Sequence, residues 1–194
     1  MGKTAAAGIF AERGVPVVDT DLIAREVAAP GETGFTDIKE AFGDAVVGSD
    51  GSLNRAALAE KVFSDPAARA RLESILHPLI RQRWLEIAKD WKEQGKKAGV
   101  VVIPLLFETG AEQEFERVIC IACSGQLQSV RLHERGWNAE QVTRRLAAQW
   151  PIEKKIDRSD FVIWNDSTIE VLREQLGRVP PLKGGESSLR ENIE

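Results

Sequence analysis

The chain opens Met1-Gly2-Lys3-Thr4 and runs into the alanine-rich, helix-prone stretch that ends at Phe10. Gly2-Lys3-Thr4 is the second half of a G-x-x-x-x-G-K-[ST] phosphate-binding loop. In a complete loop, glycines let consecutive backbone N–H groups curl around phosphates, the lysine reaches the β/γ-phosphates and the Ser/Thr hydroxyl holds Mg2+. Three such residues are a weak signal alone, because small and basic residues also open chains for solubility. The order that follows carries more. Val15-Pro16-Val17-Val18 is a short apolar run ending in Asp19-Thr20-Asp21, which makes loop, helix, strand and acidic tip. In open α/β sheets ligands bind beyond the carboxyl ends of the strands, so carboxylates placed there face a site rather than a core.

Strands alternating with helices along the rest of the chain imply an α/β fold with a doubly wound parallel sheet. Val100-Val101-Val102-Ile103 is a β-branched run of the kind buried on both faces of such a sheet, and Pro104 ends it. Val118 to Ala122 and Phe161 to Trp164 read as further strands. Helices are expected from Asp21 to Val27, from Gly34 to Phe42, from the Asn54 cap to about Val62, and from Ser64-Asp65-Pro66 to about Leu76. His77-Pro78 is expected to break the last of these, because the residue before a proline is pushed out of the α region. A separate helix then carries the stripe Ile80, Trp84, Ile87 and Trp91, whose tryptophans read as core rather than as base-stacking platforms. Ser124 caps a helix over about 125–134, and Asn138 with Gln141 resembles a capping box for a helix ending before Pro151. Ser167-x-x-Glu170 opens a final helix with the stripe Ile169, Leu172, Leu176 and Val179. Residues 180–194 offer nothing to bury and are expected to form a disordered tail.

At 194 residues the chain fits one α/β domain with a lid or small subdomain. A net charge of −4 with 43% hydrophobic residues speaks against a general nucleic-acid or membrane-surface binder, which is usually basic. A polyanionic ligand therefore has to be held by a local cluster. No apolar stretch is long enough to span a bilayer and the N-terminus lacks signal-peptide regions, so a cytosolic protein is expected. Cys120 and Cys123 spell C-x-x-C within an apolar β-type run. Strand positions three apart point to opposite faces about 10 Å apart, beyond disulfide reach, so the pair reads as buried small hydrophobes.

Two clusters could carry chemistry. Asp19 and Asp21, two apart on an extended strand end, would share a face, where one binds a metal-bound water and the other accepts a substrate proton. The plainer reading is a strand-end turn with an N-cap aspartate for the next helix, and Arg25, four residues after Asp21, pairs with it. Arg131 and Arg135 share a helix face, and Arg144 and Arg145 follow after Gly136-Trp137-Asn138. Four arginines on two short helices suit a lid closing over phosphates, where guanidinium groups neutralise charge in phosphoryl transfer. A solvated basic face interleaved with Glu134 and Glu140 is the plain alternative.

Taken together, the segments resemble the dephospho-CoA kinase family. The matching residues are Gly2-Lys3-Thr4; Gly14 to Asp21 with Ala24-Arg25; Gly51 to Leu58 with Val62-Phe63; Leu76-His77-Pro78-Leu79-Ile80-Arg81; Pro104-Leu105-Leu106-Phe107-Glu108; Gln128 with Arg131; Arg144 with Gln149; and Asn165. They are collinear from Met1 to about Val179. The resemblance implies transfer of the ATP γ-phosphoryl group to the 3′-hydroxyl of dephospho-CoA, with Mg2+, on a P-loop kinase fold. It implies a kinase domain over 1–179, with a helical acceptor subdomain over about 31–98 and a lid over about 124–150. Lys3 would contact the β/γ-phosphates within the Gly2-Lys3-Thr4 turn, and Thr4 would hold the magnesium with support from Asp19. Asp21 would be the base, Arg131 and Arg144 would clamp phosphates, and Asn165 would lie near the adenine. Asp19, Arg25, His77, Pro78, Arg81 and the Pro104, Leu105, Phe107 and Glu108 segment would shape the acceptor side. Its partners would be small molecules, with no nucleic acid and no membrane.

A full member of that family begins with an apolar strand and G-G-I-G before the position held by Met1. The expectation is therefore that the working protein is longer, since a chain lacking that strand would be unstable and a poor ATP binder. Two other readings stay open: a P-loop kinase for another small acceptor, and a non-catalytic homologue that binds CoA-like ligands.

Overall fold

The computed structural model describes residues 1–134, 136–138, 142, 143 and 149–179. In chain order it contains α1 (Lys3–Glu12), β1 (Val17–Asp19), α2 (Thr20–Glu26), α3 (Thr33–Phe42), α4 (Arg55–Ser64), α5 (Pro66–Glu93), β2 (Val100–Val102), β3 (Ile119–Ala122), α6 (Gly125–Glu134), α7 (Ile152–Asp157), β4 (Phe161–Trp164) and α8 (Ile169–Gly177). Contacts divide the chain into two units, Met1–Val17 with the residues from Val102 onward, and Val18–Val101.

In the first unit, β3 and β4 pair in parallel with Ile119 opposite Phe161 and Ala122 opposite Trp164. Three of the four β3 residues are buried, the near-continuous apolar strand that a parallel sheet covered by helices requires. α1 and α8 supply the cover: Ala6, Ile9, Leu172 and Leu176 form one cluster with Ile121 and Ile163. Each isoleucine or leucine of this cluster, when fully buried, contributes about 1.5–3 kcal/mol. Cys120 and Cys123 are buried free thiols, as the small-hydrophobe reading expects. The final helix departs from expectation at its start. Its N-cap is Thr168 rather than Ser167; Ile169 is 45% exposed, whereas Leu172 and Leu176 are buried and Val179 packs half-buried against the same cluster. The sequence reading also overlooked α7, whose six residues are too few to show a period.

The Val18–Val101 unit is largely helical, with Ala28, Ile38, Val46, Leu53 and Leu58 at its centre. Gly34 marks a close approach of two backbones: a Cβ there would lie 2.4 Å from the Val27 carbonyl and 3.1 Å from Leu79. Asp65 caps α5 through the Ala67 amide and Pro66 takes the first turn, as expected. The expected break at His77-Pro78 does not occur, and α5 runs unbroken for 28 residues with Pro78 inside it. The restriction before proline is a local preference, and packing overrides it here. Leu72, Ile75 and Leu76 before the proline join the central cluster, and Trp84 after it is only 3% exposed. β1 and β2 are hydrogen-bonded neighbours in a two-stranded sheet. Their residues are half-buried rather than covered on both faces, because a strand with one neighbour keeps an open edge. No helix among the described residues is long and apolar enough to cross a membrane.

Candidate active site

Gly2 is the N-cap of α1, at φ 100° and ψ 18°, a left-handed conformation that glycine adopts without strain. The Ala6 amide bonds back to the Gly2 carbonyl at 3.0 Å. The amides of the first turn therefore precede any helical carbonyl, at the positive end of the helix dipole, where anions bind. Lys3 and Thr4 are the first two residues of that turn, so lysine, hydroxyl and turn amides share one helix end.

Asn165, the residue after β4, is 7% exposed. Its amide N–H donates to the Ala122 carbonyl at 2.8 Å, extending the β3–β4 ladder. Its side-chain Nδ2 donates to the Met1 carbonyl at 3.0 Å. Its own carbonyl accepts from Arg131 Nη1 at 2.8 Å. One residue thus joins the sheet, the start of α1 and the α6 arginine. A Cβ on Gly2 would stand 2.0 Å from Asn165 Nδ2, so the contact needs glycine. Gln175 steadies the strand end by accepting from the Trp164 amide at 3.1 Å and donating to its carbonyl at 2.8 Å.

The acidic tip differs from the expected shared strand face. β1 ends at Asp19, which is the N-cap of α2, its Oδ1 accepting from the Asp21 amide at 2.9 Å. Asp21 is the second residue of that helix and exposed, so the backbone turns between the two carboxylates. An aspartate two residues before an amide caps a helix more readily than it continues a strand. The cap is Asp19, where the plain reading placed it two residues later, at Asp21. Arg25 lies in the last turn of α2, and its carbonyl accepts from Arg55 Nη2 at 3.5 Å. His77, Pro78 and Arg81 all lie exposed on α5, with His77 and Arg81 one turn apart on one side.

Pro104 and Leu105 are half-buried, whereas Phe107 and Glu108 are locked in place. Phe107, 6% exposed, stacks on Trp150 with ring centroids 6.1 Å apart and planes 9° apart. Glu108 Oε1 accepts from the Trp150 amide at 2.7 Å and pairs with Lys155 Nζ at 2.8 Å, the two side chains being 14% and 8% exposed. Burial pushes the Glu108 carboxyl up, but the Lys155 hydrogen bond and charge with the Trp150 amide more than offset this, leaving it below the ordinary glutamate range. Lys154 sits 3.6 Å over the Trp150 ring. Trp150 and Lys155 were missed from sequence because nothing in their neighbourhood signals a partner so distant along the chain.

Arg131 lies in the last turn of α6, bonded to Asn165 as above. Arg135, Arg144, Arg145 and Gln141 lie outside the described residues, as does the expected tail over 180–194.

Residues 1–170 match the family model for dephospho-CoA kinase. The dephospho-CoA kinase of Thiobacillus denitrificans is 43% identical over 177 residues, which cover 90% of this chain and 86% of that one. Among solved structures, a Thermus thermophilus protein superposes with a TM-score of 0.77 at 34% identity, over 90% of this chain and 87% of that one. The dephospho-CoA kinase of Campylobacter jejuni gives 0.68 at 29% identity, over 92% and 89%.

Proposed function

From the premise that the chain belongs to the dephospho-CoA kinase family, with its P-loop kinase fold, we propose that it phosphorylates the 3′-hydroxyl of dephospho-CoA from ATP, completing coenzyme A in the cytosol, where ATP is abundant. The observation that carries the reading is Gly2-Lys3-Thr4 opening α1 with its amides, ammonium and hydroxyl at one helix end.

In this mechanism the α1 amides and Lys3 hold the β/γ-phosphates and neutralise charge as the β–γ bridging P–O bond breaks. Asp21 takes the proton of the 3′-hydroxyl as its oxygen bonds to the γ-phosphorus, and ADP leaves. Arg131 clamps phosphates from α6, joined by Arg144. His77, Pro78, Arg81, Arg25 and Pro104-Leu105 border the acceptor. Phe107 and Glu108, held by Trp150 and Lys155, would fix the Pro104-Leu105 segment.

The donors suit Mg2+. Thr4 Oγ and the Asp19 carboxylate are hard oxygens, and Asp19 commits Oδ1 to the Asp21 amide. One or two protein oxygens would hold the ion, with phosphate and water as the other ligands. When bound, the ion neutralises charge on the phosphates.

The experiment is ADP release from ATP with dephospho-CoA, adenosine or AMP as acceptor. Dephospho-CoA should be preferred by orders of magnitude. Equal rates with a nucleoside would reassign the acceptor, and ligand binding without ADP release would leave a non-catalytic binder.

A further inference from the structure

Asn165 holds more of the phosphate end together than any one contact requires. Its peptide N–H and carbonyl are committed to Ala122 and to Arg131, which leaves its side chain to face the start of α1. There Nδ2 grips the Met1 carbonyl at 3.0 Å, and the missing Cβ of Gly2 is what lets the amide approach. In a trans peptide the N–H and C=O point in opposite directions. Holding the Met1 carbonyl on the Asn165 side therefore aims the Gly2 N–H away from it, with the first-turn amides of α1 following.

We propose that Asn165 is a positioning residue for the phosphates rather than a reader of the nucleotide base: its amide sets the peptide plane before Gly2, and its carbonyl ties Arg131 to the same point. The inference rests on the reading of this helix end as the ATP site. A neutral donor is required, because an Asp at this position would set an oxygen against the Met1 carbonyl and a negative charge beside the phosphates.

The two roles separate by ligand. Asn165→Ala is compared with wild type for binding of MgATP, MgGTP and inorganic tripolyphosphate by calorimetry, with circular dichroism to confirm the fold. A positioning residue lowers affinity for all three alike, by about tenfold for one lost hydrogen bond near charge. A base reader instead loses preference for ATP over GTP and leaves tripolyphosphate untouched, and that outcome overturns the proposal. Gly2→Ala adds an independent arm. The new methyl is strained at φ 100° in either background but meets Nδ2 only in wild type, so the loss of tripolyphosphate binding should be larger in wild type than in Asn165→Ala. Equal losses in both backgrounds would refute the contact. Should wild type bind tripolyphosphate and ATP yet phosphorylate no acceptor, the proposed function fails while the role of Asn165 stands.

Discussion

Replacing Glu108 by leucine tests the packed junction of Glu108, Trp150 and Lys155. The substitution removes the carboxylate from Lys155 Nζ, 2.8 Å away on a side chain only 8% exposed, and takes the acceptor from the Trp150 amide. Stranding a buried ammonium costs about 3–5 kcal/mol, and the orphaned amide falls within that range rather than adding fully to it. For a chain of this length the loss lowers Tm by roughly 6–20 °C. Glu108→Gln keeps an acceptor for Trp150 and gives up only the charge, so about 2 kcal/mol is expected. Urea denaturation of the single variants, Lys155→Met and the double variant Glu108→Leu/Lys155→Met measures the coupling. The double variant should recover about 2 kcal/mol over the sum of the singles, since an apolar pair carries no stranded charge. The carboxyl lies below its ordinary value of 4.5 in the folded protein. Its contribution is therefore full above that value and disappears as pH falls through the lower folded value, so the gap between wild type and Glu108→Gln should close in acid. A loss below about 1 kcal/mol for Glu108→Leu, or strict additivity in the double variant, would refute the account of a buried, coupled pair.

Asp21→Asn should lower turnover by orders of magnitude while ATP affinity changes little, and near-normal turnover would remove Asp21 from the base role. Gly34→Ala forces a methyl to within 2.4 Å of the Val27 carbonyl and should cost about 1–3 kcal/mol by denaturant titration; an unchanged midpoint would show that α3 can shift. Pro78→Ala restores a helical N–H inside α5 and should raise the midpoint by about 1 kcal/mol or more, whereas a fall would mean that the packing of α5 needs the proline.

The sequence conveyed the parts of this protein whose signals are local. Ile119–Ala122 and Phe161–Trp164 form strands because β-branched and apolar runs do so wherever helices can cover them, and Asn54 and Asp65 cap their helices through their own side chains. Local rules failed where distant packing won. His77-Pro78 reads as a break, yet half-buried Leu76 before it and buried Trp84 after it keep α5 whole. Asp19 and Asp21 read as strand neighbours until the hydrogen bond between them turns the chain into α2. The site followed the same division. Gly2, Lys3 and Thr4 were visible as a motif, whereas the grip of Asn165 on Met1 joins residues 164 positions apart and the Glu108–Trp150 bond joins residues 42 apart. No window along the chain spans those distances.

The most direct test of the central claim is the product itself. Purified protein is incubated with MgATP and dephospho-CoA, and the product is examined by mass spectrometry and 31P NMR. The account predicts a product one phosphoryl group heavier than the acceptor, with a new monoester resonance on the ribose 3′-oxygen and one ADP formed for each. Unmodified dephospho-CoA, or a phosphoryl group at any other position, would contradict it.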